Sequence, residues 1–61
     1  MKELTYYIED TEELNKVIKD IVRNFPCFVH RDYVEMDYSE ITISARQEDS
    51  AAIENMLAPL V

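Results

Sequence analysis

Leu14, Val17, Ile18, Ile21, Val22 and Phe25 recur at alternating steps of three and one, an apolar stripe at helical period that leaves Glu12, Lys16, Lys19, Asp20 and Arg23 to face water. Pro26 closes the stripe, because the residue before a proline avoids helical geometry. At the other end Asp10 and Thr11 compete to cap the helix. Glu13, three residues after Asp10, can reach back as in a capping box, and Glu12 and Glu13 complement the positive helix end. A helix this short is not stable by itself in water, so the rest of the chain has to supply an apolar surface for the stripe.

Strand-like segments on either side can do so. Leu4, Tyr6 and Ile8 share one face of a first strand and Thr5 and Tyr7 the other. Cys27 to Tyr38 is again β-prone but long, and His30, Arg31 and Asp32 interrupt it, which predicts either a bulge there or two strand pieces whose inward face changes phase. Beyond the break Val34, Met36 and Tyr38 share one face, and Tyr33, Glu35 and Asp37 the other. Ile41 to Arg46 alternates cleanly, with Ile41, Ile43 and Ala45 opposed to Thr42, Ser44 and Arg46. These two runs form a hairpin. For Val34 and Met36 to face the same way as Ile41 and Ile43, directly paired positions must sum to an odd number, which a two-residue or four-residue loop near Ser39 satisfies. The chain has no glycine, which favours the longer loop, built on a type I turn. Asp49 or Ser50 caps a second helix with the stripe Ile53, Met56, Leu57 and Leu60, and Pro59 ends it near Ala58.

The expected order is β-α-β-β-α in a single domain over residues 1–61, an α+β fold with strand order first, third, second. Two helices then cover one face of a three-stranded, antiparallel-rich sheet, a truncated ferredoxin-like fold lacking its last strand. Such a sheet has two open edges and a far face with no cover. A 61-residue domain buries only about 60% of the surface its unfolded chain exposes, so self-association as a C2 homodimer is expected. One cysteine excludes an internal disulfide. Met1 to Asp10 lacks the basic start and apolar run of a secretory leader, and no stretch reaches membrane-spanning length, so a cytoplasmic location is expected.

Little in the chain points to chemistry. A phosphate-cradling loop needs glycines so that backbone amides can approach the anion. Cys27, between Pro26 and Phe28, reads as a small buried hydrophobe rather than a nucleophile. His30 and Asp32, two apart, could share a proton or a metal on one side of an unbroken strand, but two ligands do not make a metal site. Carboxylates are abundant without any pair marked as held in an apolar cleft. The expectation is a protein that is not an enzyme and uses no cofactor or metal.

Tyrosines and charge point instead to contact. Tyr7 and Tyr33 fall opposite the apolar residues of their strands, which places them with Thr5, Thr42 and Ser44 on the uncovered sheet face. Tyr7, Tyr33, Thr42 and Ser44 are therefore the candidate partner or dimer contacts. The net charge is −7, and it is uneven: through Arg31 there are six acids and five bases, and from Asp32 onward seven acids and one base. Glu35, Asp37, Glu40, Glu48 and Asp49 are the candidate acidic patch. Charge of this sign disfavours nucleic acid and anionic membranes as direct partners and steers toward a basic protein surface, including that of a nucleic-acid-processing enzyme.

In length, acidity, absence of glycine and catalytic motifs, and β-α-β-β-α order, the whole chain resembles the small phage-encoded anti-defence proteins, among them many anti-CRISPR proteins. These share no sequence motif, so no site residue is carried over. The resemblance implies a viral protein acting in the host cytoplasm as an inhibitor of a bacterial immune effector, by occlusion or by mimicking nucleic-acid charge. The competing expectation is a dimeric ligand-sensing regulatory subdomain, since ferredoxin-like units often pair and hold small molecules between protomers.

Overall fold

In the computed structural model, which describes Met1–Val61, the chain runs β1 (Lys2–Glu9), α1 (Glu12–Asn24), β2 (Cys27–Glu35), β3 (Tyr38–Ala45) and α2 (Ser50–Leu57). Short 3-10 turns at Gln47–Asp49 and Ala58–Leu60 flank α2. This is the expected α+β order. The sheet order is β1-β3-β2, and both neighbouring pairs are antiparallel. With β3 between them, β1 and β2 run parallel without touching, a split β-α-β arrangement with α1 as the crossover.

Thr11 wins the competition to cap α1: its Oγ1 accepts the Leu14 N–H at 3.1 Å. Glu12 and Glu13 lie in the first turn and Arg23 in the last, the polarity a helix dipole favours. The helix stops at Phe25, whose extended backbone (φ −132°, ψ 139°) is what Pro26 requires of its predecessor. In α2 the expected cap differs. Asp49 turns its carboxylate to Arg46 Nε at 2.8 Å, and Ser50 Oγ donates to the Gln47 carbonyl at 2.8 Å, so the helix starts through a 3-10 turn rather than a side-chain cap.

Both helices pack on one side of the sheet. Leu14 and Ile21 of α1 and Ile53 and Leu57 of α2 are fully buried against Leu4 and Ile8 of β1 and Ile41, Ile43 and Ala45 of β3. The central strand shows the cleanest pattern, burying Ser39, Ile41, Ile43 and Ala45 in strict alternation. Val22, at the margin of the α1 stripe, is left 53% exposed because the stripe is wider than the sheet surface it meets.

The hairpin differs from the sequence expectation in three linked ways. First, β2 runs through His30, Arg31 and Asp32 without interruption, and its register places Cys27, Val29 and Arg31 opposite Ala45, Ile43 and Ile41. Paired positions here sum to an even number, so the inward phase is set by Cys27 and Val29. Second, the bulge falls later, between Tyr33 and Glu35, leaving Val34 unpaired. Val34 and Met36, expected inward, are 53% and 87% exposed. Third, the turn is the two-residue Met36–Asp37 rather than a four-residue loop, and Asp37 supplies a positive φ of 69° without any glycine. Aspartate is one of the few side chains that tolerates this left-handed geometry.

Arg31 can occupy the inward face because it has partners there. Its Nη2 donates to Asp10 Oδ1 at 2.5 Å and its Nη1 to Asn15 Oδ1 at 2.8 Å. The buried Ser39 hydroxyl donates to the same Asp10 oxygen at 2.6 Å. The Asp10 amide in turn donates to the Asp37 carbonyl at 2.6 Å, fastening the end of β1 to the hairpin turn. One polar cluster thus joins β1, α1, β2 and β3 at one end of the apolar core. An inward charge on an edge strand also discourages that edge from pairing indiscriminately.

Candidate interaction surface

Directly paired residues of neighbouring strands point to the same side, so the register defines the uncovered face as four rows across β1, β3 and β2. The rows are Glu3–Ser44–Phe28, Thr5–Thr42–His30, Tyr7–Glu40–Asp32 and Glu9–Tyr38–Glu35. No helix lies over them. Phe28 is 74% exposed, Tyr7 63% and Tyr38 46%, three aromatic rings on a single small surface.

Charge on this face has one sign. Glu3, Glu9, Asp32, Glu35 and Glu40 project there, and no Lys or Arg at a paired strand position does. Lys2 and Arg31 alternate to the helix side of their strands, Lys16, Lys19 and Arg23 lie on α1, and Arg46 sits between β3 and α2. His30 is the one basic side chain at a paired position of the face, and its Nε2 lies 3.0 Å from Asp32 Oδ2 in a solvent-exposed contact. Tyr7 stands beside its cross-strand partner Glu40; hydrogen bonding to that carboxylate, with its charge, raises the phenol above its ordinary pKa.

Three of the four expected contact residues, Tyr7, Thr42 and Ser44, fall on this face. Tyr33 does not. It pairs with buried Ser39 and so points to the helix side, where it lies beyond the helices, 74% exposed, with the Arg31 guanidinium 5.5 Å from its ring centroid. The physical reason is the position of the bulge: phase is retained from Cys27 through Tyr33 and changes only at Val34.

The expected acidic positions do not form one patch. Glu35 and Glu40 are on the open face near the turn, and Asp37 is in the turn itself. Glu48 and Asp49 lie past the opposite end of β3, roughly 20 Å away at the rise of a strand. Asp49 is there engaged by Arg46 at 2.8 Å, with Glu48 at 4.0 Å from the same nitrogen. Five of the thirteen acids project from the open face; what sets that face apart is that its paired positions carry no Lys or Arg. Sequence reasoning missed Phe28, Tyr38, Glu3 and Glu9; a β2 phase taken from Cys27 and Val29 would have found Phe28 at once.

Next to the turn the face is indented. Tyr7, Val34, Glu35 and Tyr38 line a shallow cleft of about 260 Å³. The bulge makes it, by setting Val34 and Glu35 together opposite Tyr38. A second, broader groove of about 600 Å³ lies between the start of α1 and the C-terminal 3-10 turn, with Glu9, Glu12 and Glu13 on its rim.

No group of three or more His, Cys, Asp or Glu side chains is placed to hold a metal ion. Cys27 is a free thiol packed at the margin of the core, and burial, with the nearby charge of Asp49, pushes its pKa up, the opposite of an activated nucleophile. No helix is long and apolar enough to cross a membrane. Comparison with protein-family models, curated proteins and solved structures finds no match to this chain.

Proposed function

We propose that this chain is a small acidic protein-interaction module, an inhibitor or adaptor that binds a larger protein through the open face of its sheet. The observation that carries this reading is the composition of that face: three exposed aromatic rings and five carboxylates, with no lysine or arginine at its paired positions. Aromatic side chains are the usual anchors of protein interfaces, and a surface of single sign accelerates encounter with a partner of the opposite sign. The partner is accordingly a protein with a basic surface, such as the groove of a nucleic-acid-processing enzyme. Nucleic acid itself would be repelled by the same carboxylates. With the resemblance to phage anti-defence proteins, this makes an inhibitor of a bacterial immune effector the specific form of the proposal. The ligand-sensing reading has less support: the cleft on the face is about 260 Å³, short of the roughly 300–1,000 Å³ typical of small-molecule sites, and the wider groove of about 600 Å³ is lined by Glu9, Glu12 and Glu13 with no aromatic or basic side chain to orient a ligand.

The test is affinity capture from a bacterial lysate followed by mass spectrometry, with the wild-type chain and two variants carrying the same change of charge. Thr42→Arg, at the centre of the open face, is expected to abolish capture of the partner. Asn24→Arg, at the exposed end of α1, is expected to retain it. Equal capture by both variants would move the binding surface elsewhere.

A further inference from the structure

We infer that the cleft formed by Tyr7, Val34, Glu35 and Tyr38 is an arginine-binding site that receives a guanidinium side chain of the protein partner. The inference rests on the interaction reading above and adds to it the anchor and the residue type that fills it.

The cleft has the parts a guanidinium needs. Tyr7 and Tyr38 sit on adjacent strands in adjacent rows, a diagonal pair close enough for both rings to reach one group. Their π faces attract a cation, and a planar guanidinium can stack on them as an ammonium cannot. One carboxylate, Glu35, lines the cleft and pairs with Tyr38; Glu40, paired with Tyr7, and Glu9, paired with Tyr38 and also lining the second groove, stand at neighbouring positions. A carboxylate matches the planar fork of arginine in two hydrogen bonds, whereas lysine binds it as a point charge. Val34, lifted out of the ladder by the bulge, gives the aliphatic stem an apolar wall.

Electrostatics select the sign of the occupant. No Lys or Arg occupies a paired position of the face, and none of the ion pairs within the chain involves Glu9, Glu35 or Glu40. The same chain pairs a guanidinium with a tyrosine ring on the other side of the sheet, Arg31 over Tyr33, and there the cation is its own. On the open face the rings and carboxylates are present and the cation is left for a partner to provide.

Titration of isotope-labelled protein with N-acetyl-arginine methylamide, followed by NMR, tests the site directly. Shifts are expected to concentrate at Tyr7, Val34, Glu35 and Tyr38. The lysine analogue should bind more weakly, by about two- to fivefold, and the isosteric but neutral citrulline analogue should leave those signals unmoved. Tyr38→Leu and Glu35→Gln should each weaken arginine binding by a similar factor. Should Tyr38→Leu fail to fold, Glu35→Gln alone decides, since its side chain is exposed and isosteric. Equal response to lysine and arginine, shifts scattered over carboxylates far from the cleft, or binding untouched by Glu35→Gln would each overturn the assignment. The two failures are distinguishable. Capture lost in Thr42→Arg without any arginine response in the cleft overturns the arginine site and leaves the docking face standing, whereas an arginine response with capture intact in Thr42→Arg overturns the docking face and, with it, the partner as the source of the guanidinium.

Discussion

The Ser39 hydroxyl donates to Asp10 Oδ1 across 2.6 Å, and it does so from a fully buried position at the end of the central strand. The same hydroxyl lies 3.4 Å from Arg31 Nε, so one small side chain sits between the two charges of an ion pair. Ser39→Ala should therefore destabilise the fold by about 1.5–3 kcal/mol, the usual contribution of a hydrogen bond to a charged group. Urea unfolding checks it: the midpoint should fall while the denaturant slope stays constant. Arg31→Met should be more damaging, because it strips the carboxylate of its cation.

Asp10 also makes stability depend on acid. Hydrogen bonds from Ser39 and Arg31 hold its carboxyl below the ordinary value of 3.8. A carboxylate with a lowered folded-state pKa contributes stability that is complete above its unfolded pKa and is lost as pH falls through the folded value. Thermal melts should thus show wild type more stable than Asp10→Asn at pH 7, with the gap closing below about pH 4. A gap that stays constant to pH 2 would remove the carboxylate as its source.

Asp37 turns the hairpin with a φ of 69°, a region open to glycine and unfavourable to branched side chains. Asp37→Gly should leave stability unchanged or raise it by up to about 1 kcal/mol, and Asp37→Val should lower it by about 1–2 kcal/mol. Equilibrium unfolding of the pair provides the comparison, and equal effects would contradict the turn geometry.

Ile53 is fully buried between the helices and the sheet, whereas Phe28 is 74% exposed. Truncation of a buried isoleucine to alanine costs about 2–5 kcal/mol, a large part of the total stability of a chain this short. Ile53→Ala should be largely unfolded by circular dichroism at 37 °C. Phe28→Ser should remain within about 0.5 kcal/mol of wild type, as surface substitutions do.

Unpaired edges on β1 and β2 and a core of nine buried apolar side chains favour association of two copies. Light scattering at tens of micromolar should give about twice the 7.2 kDa protomer mass. A single protomer mass across that range would exclude the homodimer.

Element order and the two helical stripes were legible in the sequence because each rests on local periodicity, and the strand order followed from the connection rules once the elements were known. Ile41, Ile43 and Ala45 show why: in the central strand every inward position is apolar, so the alternation leaves no choice of phase. β2 was not legible for the opposite reason. Its inward face reads Cys27, Val29, Arg31, Tyr33, and the arginine counts against that phase unless its partners are known; Asp10 and Asn15 lie 21 and 16 residues away in sequence. Val34 and Met36 then offered an apolar alternation that the fold does not use. The loss carried into the candidate surface, since Tyr33 moved to the helix side while Phe28 and Tyr38 joined Tyr7. Asp37 escaped attention because glycine, not aspartate, is the stronger signal of a left-handed turn residue.

The placement of all six cations behind the sheet or in its connections gives the molecule an electrical front and back. Such a body experiences a torque at a distance. As it nears a positively charged object it swings its β-layer forward, so that successive collisions present the same side, and the orientational search that slows most protein encounters is shortened before any atoms meet.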